Sequence, residues 1–110
     1  MWKKVDQNKF IKTLTENKFL VVIISKITEG YFLKVFCCDL NSYSEKDVEQ
    51  AIQSRGLTNT DCKEEVVIAV SEYYNRFEWA CKCDTLTDLF YELNSTTRFD
   101  MMLLADFNLE

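Results

Sequence analysis

The chain contains no histidine and no proline, and its only glycines are Gly30 and Gly56. Without histidine the commonest proton shuttle at neutral pH is missing. With two isolated glycines there is no Gly-rich loop of the kind that cradles phosphates or dinucleotides. Serine and threonine are plentiful, but a nucleophilic hydroxyl needs an adjacent base, and the commonest base is absent. Long apolar runs are missing too. The longest, Phe19 to Ile24, covers six residues, against roughly 18 to 20 for a helix that crosses a bilayer. The start, Met-Trp-Lys-Lys, lacks the apolar stretch and cleavage site of a secretory signal, so a reducing intracellular compartment is expected.

Positive charge is in deficit, with 13 Lys and Arg against 18 Asp and Glu, a formal net charge of -5. That sign opposes free-standing attraction to a phosphate backbone. Aromatic rings are abundant, but a stacking platform for single strands needs interleaved cations, and Lys34, Lys82 and Arg98 are too scattered to supply them.

What is present is apolar material for one core. The 110 residues are 47% hydrophobic and 14% aromatic, too hydrophobic for a disordered tail. A chain of this length buries roughly 65% of the surface its unfolded form exposes. Five cysteines, Cys37, Cys38, Cys62, Cys81 and Cys83, form an odd set that suits free, buried thiols better than a disulfide framework. Zinc is not expected, because structural sites favour wider Cys spacings than Cys81-Lys82-Cys83 or Cys37-Cys38. Adjacent Cys37 and Cys38 cannot both face the core of a strand without a bulge, so one of them is expected to be partly exposed.

Strand signals come first. A short strand is expected around Phe10 to Leu14, a β-branched run from Phe19 to Ser25, and a partner from Tyr31 to Phe36 across a hairpin turn at Glu29 and Gly30. The period then becomes helical. Ser44 is an N-cap with acids behind it, Val48, Ala51 and Ile52 fall on one face, and Gly56 stands where a helix ends, giving a helix from Glu45 to Arg55. Asp61 and Glu64 resemble a capping box for a second helix with Val66, Val70, Tyr73 and Phe77 along its stripe. This helix-turn-helix carries too few basic residues to read DNA. The acids from Glu45 to Glu49 and Glu64-Glu65 fit first helical turns better than acid/base catalysis.

Alternation returns with Trp79, Cys81 and Cys83 on one strand face, then Leu89, Tyr91 and Leu93. Asn94 to Thr97 is expected to be a hairpin loop, followed by a long final strand from Phe99 to Leu109. Strands, two helices, then strands, without βαβ alternation, predict an α+β domain with an antiparallel sheet or sandwich carrying a helical pair.

Several stretches resemble the head domain of the Cernunnos/XLF family, in the superfamily of the ligase IV scaffold, PAXX and the centriolar cartwheel head. They are Glu16-Asn17-Lys18-Phe19-Leu20, Gly30-Tyr31-Phe32-Leu33, Asp39-Leu40, Arg55-Gly56-Leu57-Thr58 and Cys81-Lys82-Cys83, while Phe107-Asn108-Leu109-Glu110 looks more like the scaffold's head. The resemblance implies that residues 1–110 are a single head, a seven-stranded antiparallel β-sandwich with a two-helix insertion, which a coiled-coil stalk follows in that family and through which it homodimerises. It implies a nuclear, non-enzymatic adaptor in double-strand-break repair by non-homologous end joining, without cofactor or metal. Its partner would be the head of the ligase IV scaffold, within the Ku and ligase IV complex, and DNA would be reached only through other regions. Carried over, the family's contact surface falls on Arg55, Leu57 and the loop around Thr96. Leu57 either projects as an interface anchor or plugs the sandwich beneath the helix. The alternatives are head-to-head self-assembly of the cartwheel type and an unrelated protein-interaction domain.

Overall fold

The computed structural model describes residues 2–57 and 62–99. Four strands follow one another, β1 (Trp2–Asp6), β2 (Lys9–Thr13), β3 (Lys18–Ile27) and β4 (Gly30–Asp39). A 3-10 turn (Leu40–Ser42) leads to α1 (Glu45–Arg55) and α2 (Lys63–Tyr74), then β5 (Trp79–Cys83) and α3 (Leu86–Thr97). All strand pairs are antiparallel, in the order β1-β2-β3-β4-β5.

The hairpin of β3 and β4 is the spine, paired without a break from Lys18 opposite Asp39 to Ile27 opposite Gly30. Successive side chains on a strand point to opposite faces. Phe19, Val21 and Ile23 therefore join Ile11, Phe36 and Cys38 on one face, where Ala51 of α1 and Val66, Val67, Ile68 and Val70 of α2 cover them. Val22 and Ile24 join Phe10, Leu33, Val35 and Cys83 on the other, against Leu89 and Leu93 of α3, Trp2 and Phe99. The run Phe19 to Ile24 does not alternate because both faces are covered. Each fully buried side chain of this kind is worth about 1.5–3 kcal/mol.

The expected seven-stranded sandwich is not what forms: the described residues make one five-stranded antiparallel sheet between helical layers, in an α+β domain with three helices. The difference lies after β5. Leu89, Tyr91 and Leu93 fit a strand by alternation, yet they lie in α3, where Leu89 and Leu93 are buried and Tyr91 is 72% exposed. Leu86, Leu89, Phe90 and Leu93 make the 3.6-residue stripe that packs on the sheet. Thr85 starts the helix, its hydroxyl accepting from the Asp88 N–H at 3.2 Å. The expected hairpin loop from Asn94 to Thr97 is the last turn of α3, and Arg98 ends it in the left-handed conformation at φ 51°. Of the expected strand from Phe99 to Leu109, only Phe99 falls among the described residues; it packs against Trp2 and Phe10 with ring centroids 4.9 and 5.0 Å apart.

The two-helix insertion is where the periodicity put it. Asp61 lies outside the described residues, and Cys62 stands at the N-cap of α2 without a side-chain cap bond. α2 is buried through Val66–Ser71 rather than along one stripe, because α1 covers the side that the sheet leaves open. Tyr73 is half-exposed, and Phe77 lies beyond the helix end at Asn75. Buried Ser71 is satisfied by donating to the Val67 carbonyl at 2.8 Å.

The two glycines differ in what surrounds them. Gly30 has φ 134°, and a Cβ there would meet the Cys83 carbonyl oxygen at 2.3 Å, whereas Gly56, at φ 69°, faces open space. Gly56→Ala is expected to cost about 1 kcal/mol, the left-handed penalty alone. Gly30→Ala is expected to cost at least about 2 kcal/mol, because backbone strain and displacement of β5 add. Urea unfolding of both variants checks the order, and equal losses would refute the close approach of β5 to the turn.

Candidate functional site

The described residues form a groove of about 540 Å³ beside the start of α1, lined by Asn17, Leu40, Tyr43, Val48 and Ile52, with Asn41, Glu45 and Glu49 at its rim. Its construction begins at the end of β4. The Asp39 carboxylate accepts from the Asn41 N–H at 3.0 Å, starting the 3-10 turn, and the Leu40 N–H donates to the Asn17 carbonyl at 2.8 Å. Ser44 and Asp47 close a reciprocal capping box, with bonds of 3.1 and 3.3 Å, which sets the direction in which α1 leaves.

α2 braces this corner from behind. Tyr43 stacks on Tyr74 with centroids 5.0 Å apart, and the Tyr74 hydroxyl donates to the Asp47 carbonyl at 2.9 Å. Lys63 donates to the Glu16 carbonyl and to Asn17 Oδ1, and its ammonium lies over the Phe19 ring. Burial pushes the Tyr43 phenol above its ordinary range, with the neighbouring Cys38 and Asp47 acting the same way and Arg76 opposing. The phenol is therefore a neutral hydrogen-bonding group at the groove wall.

Of the first-turn acids on α1, only Asp47 caps. Glu45 and Glu49, four residues apart and both exposed, have no ion pair among the described residues. Lys46 is not one of the groove-lining side chains. The arrangement offers an apolar floor beneath two uncompensated carboxylates. No three metal-ligating side chains converge here or elsewhere among the described residues.

The residues expected to make contact stand elsewhere. Arg55, the last residue of α1, gives its guanidinium to Glu72 at 2.8 Å, and Glu72 also holds Lys9 at 3.1 Å. Arg55 is thus engaged within the chain. Gly56 and Leu57 close the helix by donating to the Gln53 and Ile52 carbonyls, and Leu57 is half-buried, between the two roles expected of it. Thr96 lies on α3, across the sheet from α1. The structure therefore keeps Arg55 and Leu57 near one another but does not bring Thr96 to them.

The groove residues went unread as a site, although the signal was there: Val48 and Ile52 are i, i+4 neighbours, and so are Glu45 and Glu49. No family model, curated protein or solved structure matches this chain. The class that the described residues define is a small α+β domain, one five-stranded antiparallel sheet with three helices, that carries a groove beside its first helix.

Tyr74→Phe removes the bond to the Asp47 carbonyl and is expected to cost about 0.5–1.5 kcal/mol. Tyr74→Leu also loses the ring stack and is expected to cost about 1 kcal/mol more. Thermal unfolding of the two variants checks this, and identical, negligible losses would show that α2 does not brace the groove.

Proposed function

We propose that this chain is a non-enzymatic adaptor whose α1 groove takes up an amphipathic segment of a partner protein. Apolar side chains of the segment sit on Leu40, Tyr43, Val48 and Ile52, and a lysine or arginine faces Glu45 and Glu49. The observation that carries this reading is the pairing of an apolar floor with two carboxylates that nothing in the described residues neutralises. Buried apolar anchors supply most of the energy of such interfaces, and unpaired rim charges steer encounter and choose the sign of the partner.

The repair form of the reading, a nuclear adaptor in non-homologous end joining that docks on the ligase IV scaffold head, rests on narrower ground. It is supported by the sequence stretches named above and by the order of four strands, two helices and a strand through β5. The sandwich implied with it is set aside.

Titration of the purified chain with the ligase IV scaffold head, beside a synthetic basic amphipathic helix, tests both forms. Glu45→Lys with Glu49→Lys leaves the core untouched and is expected to weaken binding about tenfold at low salt, less as salt rises. Ile52→Asp removes an anchor and is expected to cost about 2 kcal/mol, or roughly thirtyfold. Arg55→Glu, Leu57→Asp and Thr96→Asp, titrated alongside, separate the groove from the surface carried over from the family. Binding of the basic helix alone supports the groove and removes the repair form. Sedimentation showing head-to-head self-association instead would favour the cartwheel-type alternative, and binding unchanged by the two lysine substitutions would refute the groove.

A further inference from the structure

On β5, Cys81 and Cys83 are two residues apart and so share a face, and their Sγ atoms lie 3.6 Å apart. Both thiols are free, Cys81 half-buried and Cys83 buried among Leu89 and Leu93 of α3. Both also stand in the wall of a cavity of about 250 Å³ between β5 and α3. Two sulfurs are therefore in contact, and the outer one is within reach of small solutes. A disulfide sets its sulfurs about 2.05 Å apart and its Cα atoms usually about 4.4–6.8 Å apart. Two residues of extended strand span about 6.6 Å, near the top of that range, so closing the bond draws in the end of β5.

That end of the strand is tied to its surroundings on two sides. Cys83 is paired with Tyr31, and its carbonyl oxygen would lie 2.3 Å from a Cβ at Gly30. Its side chain is part of the floor on which Leu89 and Leu93 rest. Drawing Cys83 in therefore disturbs both the hairpin turn and the seat of α3. A disulfide strained in this way is readily reduced again, which suits a reversible pair and not a staple. The cavity wall also selects the oxidant. It holds the carboxylates of Asp84, Asp88 and Glu92 against one ammonium, that of Lys82, which is already bonded to Glu29 at 2.8 Å. That balance disfavours anionic disulfides and leaves small neutral hydroperoxides.

We infer that Cys81 and Cys83 are a reversible oxidation site for hydrogen peroxide and similar small neutral hydroperoxides, and that their disulfide loosens α3 on β5. The site does not rest on the groove, which lies on the other face of the sheet. Cys81, the more exposed thiol, reacts first. Its sulfur attacks one peroxide oxygen, the O–O bond breaks, and the other oxygen leaves with the thiol proton as water, giving a sulfenic acid. The Cys83 sulfur then attacks the Cys81 sulfur. The S–S bond forms, the S–O bond breaks, and the hydroxyl leaves with the Cys83 proton as a second water. Two thiols lose two electrons in all, and one peroxide is reduced to two waters.

Hydrogen peroxide is the probe, applied to the full chain carrying Cys37→Ser and Cys62→Ser, in which buried Cys38 is the one cysteine besides the pair. The monomer is expected to lose the mass of two hydrogens and to keep only the Cys38 thiol, and dithiothreitol should restore both others. Adding Cys81→Ser should abolish the mass loss. Adding Cys83→Ala should leave a sulfenic acid on Cys81 that dimedone traps. Circular dichroism confirms that each variant is folded, and half-buried Cys81 is the milder of the two positions. Glutathione disulfide at the same concentration is expected to close the pair at least about tenfold more slowly. Oxidation should also speed amide exchange in Ala80–Cys83 and in α3 while leaving Val21–Ile24 unchanged. A sulfinic acid on Cys81 in place of the disulfide, closure by glutathione disulfide at the peroxide rate, or amide exchange in α3 unaltered by oxidation would overturn the inference.

Discussion

The rest of the structure depends on the pairing of β3 with β4. Ten residues on each strand align from Lys18 opposite Asp39 to Ile27 opposite Gly30. Because the side-chain period is two, that single register decides which residues face α1 and α2 and which face α3. A slip by one residue would exchange Val21 and Ile23 with Val22 and Ile24, and both helical layers would lose their fit. β2 and β5 then add to the two sides of a hairpin that is already fixed.

From this spine the two surfaces discussed above follow differently. The groove arises where β4 ends, because the chain must turn from extended to helical backbone. Asp39, Ser44 and Asp47 satisfy the freed N–H groups during that change. Tyr43 and Tyr74 hold the corner against α2. The dithiol cavity arises at the opposite layer, where α3 folds back over the edge strand and sets Asp88 and Glu92 in front of Cys81 and Cys83. The first is built from neighbours in sequence, the second by an element that crosses over another.

That difference explains what sequence reasoning recovered. The β3–β4 hairpin and its turn at Gly30 were legible because a β-branched run and a glycine in a left-handed position are both local signals. α1 was legible to its ends because Ser44 and Gly56 cap it chemically. Of the adjacent pair, Cys38 is buried and Cys37 half-exposed, as strand alternation requires. α3 was misread because Leu89, Tyr91 and Leu93 satisfy a period of two, and only Leu86 and Phe90 complete the helical stripe. β1 was not read at all: Trp2 and Val5 have charged neighbours, and the strand exists because Lys3, Lys4 and Trp2 pair with β2.

The sequence by itself determined the α+β composition, the central hairpin, α1 and α2, and the acids and apolar residues from which the groove is made. Each of these depends on residues within about one helical turn or one strand pair of each other. Only the tertiary structure decided that the helices lie on both faces of one sheet. It also decided that Arg55 is spent on Glu72, that Thr96 stands across the sheet from Leu57, and that two carboxylates of α3 face two thiols of β5. These are contacts between distant segments, and a local pattern carries no information about which buried face a helix will choose when both faces of the sheet are apolar.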